Sequence, residues 1–111
     1  MVTGGWITQG DRSRWQQRAA AELAVILDAH PGIPVIAWTV TASGGALSGR
    51  VLAAAGRRGL FAEWQKALGL DEVTETPSRT GTPVYLHARG VRAGVAVSVT
   101  ATVFDDREDS R

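Results

Sequence analysis

Two arginines open the most chemically suggestive stretch of this chain, Gly56-Arg57-Arg58-Gly59, at the expected start of a helix. Cations there oppose the helix macrodipole. A bound anion would resolve the conflict, because backbone N–H groups and guanidiniums would converge on it, and phosphate fits that geometry. In the plainer reading both side chains extend into water, or one pairs with Glu63 or the acidic tail. No Gly-Lys-Ser/Thr sequence accompanies them, so this is not a P-loop and nucleotide hydrolysis is not indicated.

A second group is set by alternation. Tyr85, His87 and Arg89 alternate with Val84, Leu86 and Ala88, and Ser98, Thr100 and Thr102 alternate with Val97, Val99, Ala101 and Val103. Period-two alternation describes strands with one buried and one wetted face. With Thr39, Thr41, Ser48 and Arg50 from an earlier hairpin, the wetted face is expected to carry hydroxyls, two guanidiniums and one aromatic ring, and no acid. It could track a nucleic-acid backbone, with Tyr85 and His87 as stacking or surface contacts. It lacks the paired aromatics of an RRM platform, and Ser and Thr are also ordinary solvent-facing strand residues.

Catalysis and metal binding find little support. His30 and His87 fall on different elements, and His30 reads as a helix-end residue. If Gly90–Ala93 is a hairpin loop, His87 faces Ala96 and Ser98 is only its diagonal neighbour, with no carboxylate to orient the imidazole. Neither histidine has further ligands at metal-binding spacing. Asp71, Glu72 and Glu75 sit in an expected loop, and Asp105, Asp106, Glu108 and Asp109 in a charged tail, where no walled pocket would split carboxylate pKa values. No catalytic residue, metal or cofactor is expected. Trp15, Trp38 and Trp64 read as core. Trp6 and Ile7 lie in a glycine-rich arm and could dock on the domain itself or anchor an interface.

The elements that position these residues follow from periodicity. Met1–Gly10 reads as a flexible arm without the basic and apolar regions of a signal peptide. Asp11 or Ser13 would cap a helix whose apolar side holds Trp15, Ala19, Leu23, Ile26, Leu27 and His30, ended by Pro31, Gly32 and Pro34. Val35–Ala42 and Ala46–Leu52 form a hairpin about Gly44-Gly45, with Trp38 facing Val51 and Val40 facing Gly49, where the glycine makes room for a ring or marks a bulge. A second helix runs from Arg57 to Leu68 with Leu60, Phe61, Trp64 and Leu68 as its stripe and Gly69 as its C-cap. Leu70–Pro83 reads as a loop with room for a short edge strand near Val73–Thr76.

The expected fold is therefore an α+β two-layer sandwich, α-β-β-α-β-β. Its sheet is four-stranded and antiparallel, with that short fifth edge strand as an option, and both helices cover one face. Residues 11–104 make the single domain, and 105–111 a charged tail.

Composition narrows the class. The 111 residues include eleven arginines beside one lysine, Lys66, yet the net charge is +1. A GC-rich genome explains the arginine bias, so any affinity for nucleic acid must come from a local patch. There is no cysteine, which excludes disulfides and thiolate sites. No apolar stretch approaches the roughly 20 residues of a membrane span. A cytoplasmic protein without a membrane role is the expectation.

Ile36-Ala37-Trp38-Thr39-Val40, Leu47-Ser48-Gly49-Arg50-Val51, Trp64-Gln65-Lys66-Ala67-Leu68-Gly69-Leu70, Tyr85-Leu86-His87-Ala88 and Thr100-Ala101-Thr102-Val103-Phe104-Asp105-Asp106 together resemble a group of short actinobacterial-type proteins. That group occurs among phage-like or conjugative-element genes, and the similarity covers most of residues 12–106. The group has no known activity, so the resemblance implies an accessory or regulatory role and no site.

Two functions emerge as expectations. The first is a non-enzymatic interaction module with a modest basic patch for a nucleic-acid backbone or another anion, carried by Arg57, Arg58, Arg50, Arg89 and Arg92. The second is a protein-binding or self-associating domain, such as a homodimer, with no nucleic-acid role.

Overall fold

The structure, a computed structural model, describes residues 8–41 and 45–104. In chain order the elements are α1 (Gln9–Ala29), β1 (Ala37–Val40), β2 (Ala46–Arg50), α2 (Arg57–Leu68), β3 (Glu72–Pro77), β4 (Val84–Arg92) and β5 (Val95–Val103). The expected tail and the pair Trp6 and Ile7 lie outside the described residues.

Helix α1 begins ahead of both expected caps. Thr8 is its N-cap: the Thr8 hydroxyl accepts from the Asp11 backbone N–H at 3.0 Å, and the Asp11 carboxylate accepts from the Thr8 N–H at 3.1 Å. This reciprocal box satisfies two otherwise orphaned donors and draws Gln9 and Gly10 out of the expected arm into the first turn. The helix stops at Ala29, with His30 as C-cap directly before Pro31. Ala19 and Ile26 are fully buried, Leu23 packs against the core, and Trp15 is half-buried, whereas Leu27, expected inside, is exposed. Gly45, in the β1–β2 turn, touches the α1 backbone: a Cβ there would stand 2.8 Å from the Trp15 carbonyl oxygen.

The sheet has five strands in the order β1-β2-β5-β4-β3, and it is mixed. The optional edge strand near Val73–Thr76 is present as Glu72–Pro77, antiparallel to β4, whereas the expected all-antiparallel pairing is corrected: β2 runs parallel to β5. The reason lies in α2, which carries the chain across the core face from β2 to the far edge, so that β4 and β5 fold back into the space between.

Both hairpin registers also shift. Trp38 pairs with Gly49 and Val40 with Leu47, two residues from the expected alignment. A slip of two keeps every side chain on its own face, so the polar and apolar sides survive. Gly49 does make room for a ring: a Cβ would stand 3.0 Å from two Trp38 ring carbons and 2.8 Å from Ile36 Cδ1. In the second hairpin the turn is Ala93-Gly94, both at positive φ (51° and 79°), rather than Gly90–Ala93. Such a two-residue turn matches strand twist, so β4 extends through Arg92 and His87 faces Thr100 instead of Ala96.

The core lies between the helices and one sheet face. Val95, Val97, Val99, Ala101 and Val103 of β5 meet Leu60, Phe61, Trp64 and Leu68 of α2, all buried. The α2 stripe and its Gly69 cap, whose N–H donates to Lys66 O at 3.1 Å, match expectation. Trp64 is 1% exposed, donates from Nε1 to the Pro34 carbonyl at 2.9 Å, and meets Trp38 edge-on at 5.7 Å. Trp38, expected in the core, is only half-buried because β1 is an edge strand.

Candidate functional site

The opposite sheet face carries neither helix. Its side chains fall into rows set by the strand registers. One row runs Thr39, Ser48, Ser98, Arg89, Glu72 across all five strands, and the next runs Ala37, Arg50, Thr100, His87, Thr74. Thr102, Tyr85 and Thr76 continue the face on the last three strands. The hydroxyl-rich surface read from alternation is thus assembled, with Tyr85 and Arg89 exposed and His87 half-buried.

The expectation that this face is free of acids is corrected. Strand β3 places Glu72 directly opposite Arg89, and the two side chains form an ion pair. Glu75, one step out of phase, turns to the helix side and accepts from Arg58 at 3.0 Å. Two of the three expected loop acids, Glu72 and Glu75, are therefore strand acids that each hold an arginine, while Asp71 stays just ahead of β3. The optional edge strand at Val73–Thr76 carries the signal for their placement, a weak one because no residue of β3 is buried.

The five arginines of the anion reading do not converge. Arg57 donates from Nε to Ala53 O at 2.6 Å and from Nη1 to Thr102 O at 2.8 Å, and its guanidinium lies 5.6 Å from the centre of the Phe104 ring. It ties the β2–α2 connection to the end of β5 through two charge-assisted hydrogen bonds to carbonyls. Arg58 is held by Glu75, and Arg89 by Glu72. Arg92, placed by sequence in a loop, ends β4; it donates to Glu22 at 3.2 Å and to Leu68 O at 3.3 Å. Arg50 is exposed and makes no ion pair among the described residues. It shares its row with His87, two strands away, or about 10 Å between backbones.

Asp71, Glu72, His87, Arg89 and Ser98 border an open depression at the β3–β4 end. Ser98 faces Arg89, the Glu72 carboxylate is engaged by Arg89, and neither Ser98 nor His87 makes a side-chain hydrogen bond among the described residues. Among the described residues of this face, no hydroxyl is hydrogen-bonded to a histidine or carboxylate. Among the described residues no group of three or more His, Cys, Asp or Glu could hold a metal ion, and no helix is long and apolar enough to cross a membrane. The Asp11 carboxyl is held below its usual range by the Thr8 backbone and side-chain hydrogen bonds, with Arg14 adding to the effect. No protein-family model and no curated protein matches the chain.

Proposed function

We propose that this protein is a non-enzymatic accessory or regulatory module that works by protein–protein contact, self-association included. One observation carries the reading: a five-stranded sheet has both helices on one face, while four of the five arginines that would have held an anion are engaged within the fold. A broad surface with hydroxyls, small side chains and few charges suits a protein surface, where polar rims and water bridges are common. Tyr85 supplies the exposed aromatic anchor of that face.

Arg50 supports a second reading, a nucleic-acid backbone contact, because it is the one arginine of the five without an internal partner among the described residues. Fluorescence anisotropy of short single- and double-stranded DNA and RNA separates the two. The protein-contact reading expects no salt-sensitive binding at low ionic strength. Binding whose salt slope falls by about one phosphate contact in Arg50→Ala would replace it with the nucleic-acid reading. A positive check uses Thr100→Arg, which crowds the middle of the face: a protein partner captured by the parent chain should be lost from this variant.

A further inference from the structure

The two edges of the sheet are chemically unlike. Edge β3 carries Glu72 and Glu75 and ends in Pro77, the charged and proline-blunted kind of edge that resists pairing. Edge β1, Ala37-Trp38-Thr39-Val40, has neither charge nor proline. Its outward groups can be identified. Thr41 N donates to Ala46 O at 2.9 Å, so directly opposed hydrogen-bonded pairs recur at Thr39–Ser48 and Ala37–Arg50. Trp38 and Val40 therefore turn their backbone N–H and C=O groups away from β2, toward the open edge.

We infer that β1 pairs antiparallel with β1 of a second copy about a two-fold axis at Thr39, joining two five-stranded sheets into one of ten strands. This deepens the self-association named in the proposed function and rests on that reading. The register is self-complementary. Trp38 of one copy meets Val40 of the other, and each such pair exchanges two backbone hydrogen bonds, four in all. On the core side this sets an aromatic ring beside a β-branched side chain, a favoured cross-strand pair, and both residues are only half-buried in the isolated chain. On the open face Thr39 meets Thr39 in the close, non-hydrogen-bonded position. No charge opposes a like charge. Four residues make a short seam, so the association is concentration-dependent and belongs to the weak class of interfaces.

The test is sedimentation velocity across a concentration series with three samples: the parent chain, Thr39→Lys, and an equimolar mixture of Thr39→Lys with Thr39→Glu. Thr39 is exposed and faces only Ser48 within the chain, so both variants should keep the parent's circular dichroism and melting temperature. The expected result is a dimer of the parent, weakened at least about tenfold in Thr39→Lys by two ammoniums forced together, and restored in the mixture by opposite charges. Thr74→Lys on the β3 edge should leave the dimer unchanged. A dimer indifferent to Thr39→Lys overturns the β1 seam and leaves the interaction reading standing on another surface. A parent chain that is monomeric at every concentration also overturns the seam, and leaves heterologous protein contact as the surviving form of that reading.

Discussion

Arg92 and Glu22, seventy residues apart, meet at 3.2 Å beside the end of α2, where Arg92 also donates to the Leu68 carbonyl. One guanidinium thus links α1, α2 and the β4–β5 hairpin. The Glu22 side chain is only 11% exposed, so removing its partner strands a carboxylate away from water. Arg92→Ala should lower unfolding stability by about 2–3 kcal/mol, and Glu22→Ala by less, since Arg92 keeps Leu68. A double-mutant cycle in urea should give a coupling energy well above the ~0.5 kcal/mol of an exposed pair. Additive losses would mean the two side chains act separately.

Gly49 stands under the Trp38 ring, and its missing side chain is a packing requirement. An alanine Cβ would meet two ring carbons at 3.0 Å and Ile36 Cδ1 at 2.8 Å. Replacing glycine by alanine in a strand usually gains ~0.4–1 kcal/mol from a less flexible unfolded chain. Here overpacking outweighs that, since Trp38 is backed by Trp64, and a net loss of about 1–2 kcal/mol is expected. Chemical denaturation measures the loss, and a changed tryptophan emission spectrum should accompany it. A stabilised Gly49→Ala would mean the ring swings aside freely.

Arg57, an expected anion ligand, fastens the β2–α2 connection to the end of β5. Its two bonds to Ala53 O and Thr102 O are charge-assisted and partly buried. Arg57→Ala should therefore destabilise the protein by about 1–3 kcal/mol. Arg57→Lys should recover little of this, because an ammonium cannot reproduce the two-pronged geometry. Thermal melts of the three proteins decide it. Equal stability would return Arg57 to the pool of free surface cations.

The contrast between Arg57 and Leu60 shows where legibility ends. Leu60, Phe61, Trp64 and Leu68 were readable because burial repeats with the helix period, and α2 and its Gly69 cap follow from that repeat. Faces were readable in the hairpins for the same reason, and slips of two and four residues left them intact. Strand β3 was legible only as an optional edge strand near Val73–Thr76, because all six residues are exposed and its identity comes from pairing with β4. The parallel β2–β5 contact and the partners of Arg58, Arg89 and Arg92 depend on long-range placement, which has no local signature. The candidate face was legible on β4 and β5 and misjudged in charge, since Glu72 reaches it only through β3.

The Thr8–Asp11 box offers a last, pH-dependent expectation. The Asp11 carboxyl is held below its usual range first by the Thr8 backbone N–H and then by the Thr8 hydroxyl. A carboxylate with a depressed folded-state pKa adds stability that is fully present above the unfolded value of about 3.9. That stability disappears as pH falls through the still lower folded value. The difference in urea midpoint between the parent and Asp11→Asn should therefore hold steady through neutral pH and close below about pH 4. Thr8→Ala, which removes the other half of the box, should cost about 1 kcal/mol at neutral pH and fray the first turn, visible as faster amide exchange near Arg12. If the parent and Asp11→Asn curves stayed parallel down to acid pH, the helix start would owe nothing to the Asp11 charge.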